Sequence, residues 1–245
     1  MRFFHCLMRF RSVENIIQLF YSHSNKENEI ISISGPSASG KTTLALQLIC
    51  SLIQPNNEEK CIWVQASESF PKRRLVSLLL GNLPRKKYML HNTFILPSDH
   101  VVSSFEEQYE LLNGISTQLF PPGTKYFVID NISHHLRLFL SLQKDLSQRS
   151  KAINRFFDDI LFPLIMRCQR ELITFIMIHE VSQDPNSGKV RPFHYNLFNR
   201  IESISFSFQG SIRFGTQLLY FTPRGKPTLH YWYELKDEGL FTCSL

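Results

Sequence analysis

The sequence predicts an α/β fold, a mostly parallel central sheet flanked by helices and extended by antiparallel strands near its C-terminus. Two observations support this prediction. Through most of the chain, short apolar runs that are typical of strands covered on both faces alternate with helical patterns. Towards the C-terminus, strand-like segments follow one another directly, which indicates antiparallel pairing.

The composition indicates a single domain with a substantial core, because 43% of the 245 residues are hydrophobic. The net charge of +6 favours polyanionic partners such as nucleic acid without requiring one. The five cysteines lack metal-ligand spacing, so we expect reduced, buried thiols and a cytoplasmic location, or a nuclear one in a eukaryote. No apolar run approaches the roughly 20 residues of a membrane span, and we expect no membrane association.

The N-terminal 29 residues are predicted to be a helical appendage to a core over residues 30–245. Residues 13–21 carry apolar side chains at helical spacing, and a polar run ends that pattern before the first strand. The core opens with an apolar strand at 30–34, a glycine-containing turn, and a helix at 42–53.

The remaining elements follow from the same periodicities. Further strands are predicted at 61–64, 93–96, 126–129 and 173–178, and helices at 74–80, 105–119 and 152–172. Pro163 is expected to kink the last of these helices. The antiparallel extension is predicted at 201–208, 211–222 and 228–235, with breaks at Gln209-Gly210 and at 223–225.

The turn at residues 35–42 reads GPSASGKT and matches the phosphate-binding pattern G-x4-G-K-[ST]. Its glycines let the backbone curl until successive amides point at phosphates, and the following helix N-terminus favours negative charge. We expect Lys41 to reach the β and γ phosphates and Thr42 to ligate Mg²⁺. The predicted nucleotide-binding residues of this loop are Gly35, Ser37, Ala38, Ser39, Gly40, Lys41, Thr42 and Thr43.

An acidic residue at the end of a neighbouring strand completes the predicted magnesium site. Asp130 directly follows the apolar run 126–129. A carboxylate in this position can hold the metal through a bound water. The sequence therefore predicts Thr42 and Asp130 as the metal-binding pair.

With these motifs placed, the chain resembles the RecA/RadA superfamily of recombination ATPases, most closely the archaeal RadB-like recombinase paralogues. The likeness rests on GPSASGKTTLALQL, WVQASESFPKRRL, SSFEEQYELLNGI, KYFVIDNIS, FIMIHEVSQDPNSGKVRPF and RGKPTLHYWYELKDEGLF. It implies a RecA-like P-loop NTPase core that binds ATP and Mg²⁺. It also implies a role in DNA recombination and repair, with DNA binding, weak ATP hydrolysis and a mediator or regulatory role towards a full recombinase.

The resemblance implies catalytic roles for Lys41, Glu68 and Glu180. The family usually has a water-orienting glutamate after its second strand, where this chain has Ser67, followed by Glu68. Glu68 can serve if the strand has ended or a bulge re-aims it, because adjacent strand residues point to opposite faces. We therefore expect slow or absent hydrolysis.

Two further positions follow from the resemblance. The pair His179-Glu180 replaces the family's usual Asn-Gln sensor, and it either senses the nucleotide or is a satisfied polar pair at a strand end. Arg74 matches the position where the family stacks an arginine on adenine, a geometry that suits its planar guanidinium. Residues 1–29 contain no Phe-x-x-Ala subunit-linking motif, which argues against autonomous filaments.

The segment 182–200 is the predicted contact with single-stranded or junction DNA, because its cations stand among rings that can stack on bases. The predicted contact residues are Lys189, Arg191, Phe193, Tyr195 and Arg200, together with Arg137 from a second basic loop at 131–150. In the alternative interpretation, the rings pack under the loop and the charges are solvated.

Two other functions remain open at this stage. A P-loop small-molecule kinase would use residues 72–74 or 85–87 as a phosphate-clamping lid, although the C-terminal β extension speaks against it. A protein-interaction module that binds ATP without turnover would have the same fold as a recombinase paralogue. Ser67 in place of glutamate favours that module.

Overall fold

The computed structural model describes residues 16–24, 28–183, 190–213 and 216–243. The strands are β1 Ile30–Ser34, β2 Lys60–Gln65, β3 Thr93–Leu96, β4 Thr124–Asp130, β5 Thr174–His179, β6 Val181–Gln183, β7 Val190–Pro192, β8 Ile204–Arg213, β9 Thr216–Thr222, β10 Leu229–Lys236 and β11 Gly239–Cys243. The helices are α1 Ile16–His23, α2 Lys41–Leu52, α3 Lys72–Leu78, α4 Leu83–Asn92, α5 Phe105–Thr117, α6 His134–Leu142, α7 Leu146–Asn154, α8 Phe162–Arg170 and α9 Tyr195–Phe198. A π-helical segment, Arg155–Leu161, joins α7 to α8, and a 3-10 turn, Pro55–Asn57, follows α2.

The central sheet has the strand order β11-β10-β9-β8-β1-β5-β4-β2-β3. Six consecutive strands of this order run parallel to one another, namely β8, β1, β5, β4, β2 and β3. Strands β9, β10 and β11 extend the sheet antiparallel beyond β8. The predicted fold class is confirmed.

The core lies on both faces of the sheet because the central strands are apolar on both sides. Val128 packs in one cluster with α1 and α2, whereas Phe127 and Ile129 pack in the other with α5, α6 and α8. This double burial explains why these strands read as continuous apolar runs. Helix α1 buries Ile16 and Phe20 in the first cluster, so it shares the core, while the domain boundary at residue 29 remains a prediction.

Some predicted boundaries were wrong. Strand β8 continues through Gln209-Gly210 to Arg213, and its register with β9 shifts between Gln209 and Arg213. A glycine inside a strand marks such an irregularity as readily as a turn. Strand β11 was not predicted. The predicted basic loop at 131–150 instead contains α6 and α7, because Leu136 and Leu140 of α6 bury one helical face.

The helix predicted at 152–172 is interrupted. The π-helical segment Arg155–Leu161 comes first, and Pro163 then lies in the first turn of α8. A proline is tolerated there because the amide it lacks would have no helical partner. The irregularity therefore precedes the proline.

Four of the five cysteines lie within the described chain. Cys50, Cys61 and Cys168 are buried and Cys243 is half-buried, all four as free thiols. Burial raises the pKa of the Cys50 thiol to about 12. Across the ranges described above, no helix combines the length and apolarity that crossing a bilayer requires.

Candidate nucleotide-binding site

A cleft of about 630 Å³ opens at the carboxyl ends of β1, β4 and β5. Strand β5 lies between β1 and β4 in the sheet. Open α/β sheets bind their ligands at the carboxyl ends of the strands, where the connections after neighbouring strands run to opposite faces of the sheet. The residues predicted for nucleotide, metal and catalysis all line this cleft: Gly35, Ser37, Ala38, Ser39, Gly40, Lys41, Thr42, Thr43, Glu68, Arg74, Asp130 and Glu180. The structure therefore brings the predicted set together.

The loop between β1 and α2 has the backbone of an anion cradle. Ala38 and Gly40 have φ angles of 59° and 95°, in the left-handed region that turns successive amides to one side. A side chain at Gly35 would place its Cβ 2.6 Å from Cβ of Phe208, so this glycine is required by packing. Ser39 Oγ is buried and has no hydrogen-bond partner within the described chain, as expected of a group that awaits a ligand.

The C-terminal strands hold this loop from behind. The hydroxyl of Tyr233 donates to the Ser39 carbonyl at 2.8 Å. Gln47 of α2 accepts from the Leu240 amide at 2.8 Å and donates to its carbonyl at 3.1 Å. The antiparallel extension thus fixes both the loop and the helix that follows it.

Lys41 is the cation of the cleft floor. Its Nζ donates to the carbonyls of Gly35 at 2.9 Å and Pro36 at 2.7 Å. Burial lowers the pKa of Lys41, while the charges of Asp130, Glu180 and Glu68 act to raise it. The ammonium therefore stands among three carboxylates, and it can reach a phosphate by exchanging the carbonyl acceptors for phosphate oxygens.

Thr42 and Asp130 form the predicted oxygen pair, with Thr42 Oγ1 donating to Asp130 Oδ2 at 2.8 Å. Burial raises the pKa of Asp130 to about 6, partly offset by the Thr42 hydrogen bond and the Lys41 charge. Magnesium prefers one or two protein oxygens completed by phosphate and water, so this pair fits it. Among the described residues, no group of three His, Cys, Asp or Glu side chains could hold a metal unaided.

Ser67 and Glu68 both lie on the cleft wall. Strand β2 ends at Gln65, and the amides of Ala66 and Ser67 then both donate to the Asp130 carbonyl, at 2.7 and 3.1 Å. Because the strand has ended, adjacent residues need no longer point to opposite faces of the sheet, and Glu68 can face the cleft as Ser67 does. Ser67 is half-buried and Glu68 is exposed.

Glu180 is held by α6. Its Oε1 accepts from His134 Nδ1 at 2.7 Å, its Oε2 accepts from Arg137 Nη1 at 2.5 Å, and its amide donates to Ser133 Oγ at 3.0 Å. Burial acts to raise the pKa of Glu180, but these two partners hold it below its ordinary value. Arg137, which was predicted to contact DNA from a loop, instead lies on a helix in the cleft wall.

His179, the other half of the predicted sensor pair, does not line the cleft. Its side chain is fully buried, and neither ring nitrogen has a hydrogen-bond partner within the described chain. The ring lies 4.3 Å from the ring of Phe198, between centroids. Burial lowers the pKa of His179 to about 3, so the imidazole is neutral.

Arg74 and Leu235 face the cleft from its rim. Arg74 Nη1 donates to the Lys236 carbonyl at 3.3 Å and lies 3.6 Å from Asp237 Oδ1, which ties α3 to the end of β10. A planar guanidinium and an apolar side chain suit the flat ring of a base. The sequence did not assign Leu235 or His134 to the nucleotide site, although His134 belongs to the basic segment 131–150. The available signal for His134 was its spacing of three residues from Arg137.

The residues predicted to contact DNA are placed unevenly. Lys189 lies outside the described residues. The Arg191 guanidinium lies 5.1 Å from the ring centroid of Tyr195, which is exposed, as is Arg200. Phe193 is partly buried against the second core cluster, as expected in the alternative interpretation, in which the rings pack under the loop.

Comparisons with known proteins bear on the fold. The NB-ARC domain family matches residues 10–99, a segment that contains the phosphate loop and ends before Asp130. A search of curated proteins finds no match. A solved structure of the RadB recombinase is similar with a TM-score of 0.65 and 20% identity, over 87% of this chain and 90% of that chain. The chain therefore adopts the RecA-like P-loop NTPase fold seen in the RadB recombinase.

Proposed function

We propose that the protein binds ATP with Mg²⁺ in this cleft and acts as a slow, DNA-responsive ATPase of recombination and repair, regulating a full recombinase. The observation that carries the proposal is the meeting of the phosphate loop, the Thr42–Asp130 pair and Glu180 in one cleft. Glu180 precedes β6, which pairs with β7, and in the segment 190–200 that begins with β7 a cation and an exposed ring lie together. The fold likeness to a recombinase supports the assignment to recombination.

Each part of the cleft has a role in this proposal. The loop amides and Lys41 bind the phosphates, Thr42 and Asp130 hold the metal, and Arg74 with Leu235 encloses the base. Magnesium, when bound, neutralises charge on the β and γ phosphates. Glu68 orients the attacking water less well than a glutamate at Ser67 would, because it is exposed and therefore less fixed.

The proposal predicts that single-stranded DNA stimulates a low ATP turnover. Arg191 and Arg200 supply phosphate contacts and Tyr195 a stacking surface, so DNA affinity should fall steeply as salt rises. The measurement is phosphate release with and without single-stranded DNA, together with DNA affinity at several salt concentrations. The double variant Arg191→Ala, Arg200→Ala should lose the stimulation and keep the ATP affinity.

The alternatives give different results in the same assay. Tight ATP binding with neither DNA affinity nor turnover would establish the interaction module instead. Phosphate transfer to a small acceptor would establish a kinase. The contacts of Arg85, a candidate for the kinase lid, argue against a kinase. Its Nε and Nη2 donate to the carbonyls of Cys50 at 2.6 Å and Ile53 at 2.9 Å, so this side chain is held at the end of α2.

Changing Ser67 to Glu is expected to raise ATP turnover at least about tenfold, because a positioned carboxylate contributes general-base catalysis. The amide of Ser67 is anchored on the Asp130 carbonyl at 3.1 Å, which places the new side chain on the cleft wall. Turnover under saturating ATP is the measurement, and Ser67→Gln, of similar size without charge, is the control. Equal turnover in the Glu and Gln variants would contradict the assigned role of this position.

A further inference from the structure

A compact charge cluster lies on the cleft wall between the phosphate loop and the strand that ends at Asp130. Ser34 and His179 are register partners on β1 and β5, so Gly35 and Glu180 are the next residues at adjacent strand ends. Helix α6 begins four residues after Asp130 and presents His134 and Arg137 on one face. Both side chains therefore reach the same end of the cleft as Glu180.

The three side chains remain accessible to a ligand in the cleft. Their exposed fractions are 24% for Glu180, 31% for His134 and 48% for Arg137. Arg137 donates to Glu180 through Nη1, and a guanidinium carries five N–H donors in all. The planar donor arrangement matches phosphate oxygens as well as it matches a carboxylate.

The charge balance of the cleft shows why this cluster matters. The cations Lys41, Arg74 and Arg137 and the carboxylates of Glu68, Asp130 and Glu180 line the same cleft. A triphosphate brings a further anionic group, and Glu180 would repel it if its charge were not offset. A terminal phosphate carries more charge than a carboxylate, so it competes effectively for the same donors.

We propose that His134 and Arg137 recognise the terminal phosphate of the nucleoside triphosphate bound by the same chain, and that Glu180 holds both donors in position until the nucleotide binds. The inference rests on the proposed nucleotide binding in this cleft. The loop amides and Lys41 hold the phosphates that ATP and ADP share, whereas His134 and Arg137 contact a group that ADP lacks. The cluster thus sets the preference for triphosphate over diphosphate.

The test is the ratio of ATP affinity to ADP affinity. Titration calorimetry measures both affinities with Mg²⁺ present, under conditions in which ATP is not hydrolysed. Arg137→Ala and His134→Ala should each lower this ratio by about fivefold or more, because each loses a charge-assisted hydrogen bond to the terminal phosphate. ADP affinity should stay unchanged. Arg137→Lys should restore part of the preference, because it keeps the charge and loses the planar fork.

Two further variants sharpen the test. Glu180→Gln should raise the ratio, because it removes the negative charge that repels the terminal phosphate, while its side-chain oxygen can still accept a hydrogen bond from one of the two donors. Arg170→Ala is the matched control: this arginine is exposed on α8, where it lies 3.8 Å from Glu171, and its loss should leave the ratio unchanged. Circular dichroism of each variant confirms that the fold is retained.

The outcomes separate this inference from the proposed function. If Arg137→Ala and His134→Ala weaken ATP and ADP equally, or weaken neither, the cluster does not read the terminal phosphate and the inference is overturned. If the unmodified protein binds neither nucleotide, the proposed function is overturned together with it.

Discussion

Replacing Lys41 by Ala is expected to weaken ATP binding by about 100-fold or more while leaving the fold intact. Lys41 is half-buried in the cleft floor, where charge-assisted hydrogen bonds to phosphates are strong, and two of them amount to about 3 kcal/mol. Its present partners are carbonyls of the loop itself, at 2.9 and 2.7 Å. Burial lowers the pKa of Lys41, so the charged side chain is partly desolvated and its loss should cost the fold little.

Titration calorimetry measures the affinity of Lys41→Ala, and urea unfolding measures its stability. Lys87→Ala is the matched control, since Lys87 is exposed on α4, far along the chain from the loop and within the lid of the kinase alternative. Its ATP affinity should equal that of the unmodified protein. An unchanged affinity in Lys41→Ala would mean that the loop at 35–42 is not the nucleotide site.

Replacing Asp130 by Asn is expected to have two opposite effects. Mg²⁺ should no longer strengthen ATP binding, because the oxygen pair with Thr42 loses its charge. The nucleotide-free protein should become more stable by about 3 kcal/mol near pH 7.5, because an ionised carboxylate is no longer buried. The amide oxygen of asparagine can still accept the Thr42 hydrogen bond, which is 2.8 Å long in the structure.

The stabilisation should depend on pH in a defined window. Burial raises the pKa of Asp130 from the ordinary 3.8 to about 6. Between these values the folded protein keeps a proton that the unfolded chain has released, so the contribution of Asp130 to stability falls as the pH rises. Above pH 6 the folded protein bears the full free-energy cost of burying the ionised Asp130 carboxylate. The stability difference between variant and unmodified protein should therefore grow from near zero at pH 3.8 to its full value above pH 6.

Urea unfolding of both proteins across this pH range, without nucleotide, measures the effect. Asp158→Asn is the control, because Asp158 is exposed on the π-helical segment and its replacement should give no such pH-dependent difference. An Asp130→Asn protein that is less stable at pH 7.5, or that keeps its magnesium-dependent ATP affinity, would contradict the assigned role.

The nucleotide-binding loop and Asp130 could be predicted because their signals are local. The loop pattern has fixed spacing, and its strand and helix are its immediate neighbours in the sequence. The errors at Gln209-Gly210 and at 131–150 have a different origin. A glycine permits both a turn and a strand irregularity, and a helix that opens with two histidines has weak intrinsic propensity until its apolar face is buried.

The sequence by itself determined the α/β class, the phosphate loop and the strand that ends at Asp130, because apolar periodicity and glycine placement act over a few neighbouring residues. Only the tertiary structure decided which distant groups meet at the cleft. Glu180 meets His134 and Arg137 across 46 and 43 residues, and Tyr233 reaches the Ser39 carbonyl across 194. The strand order that joins them results from burying both faces of one sheet, and no local pattern encodes it.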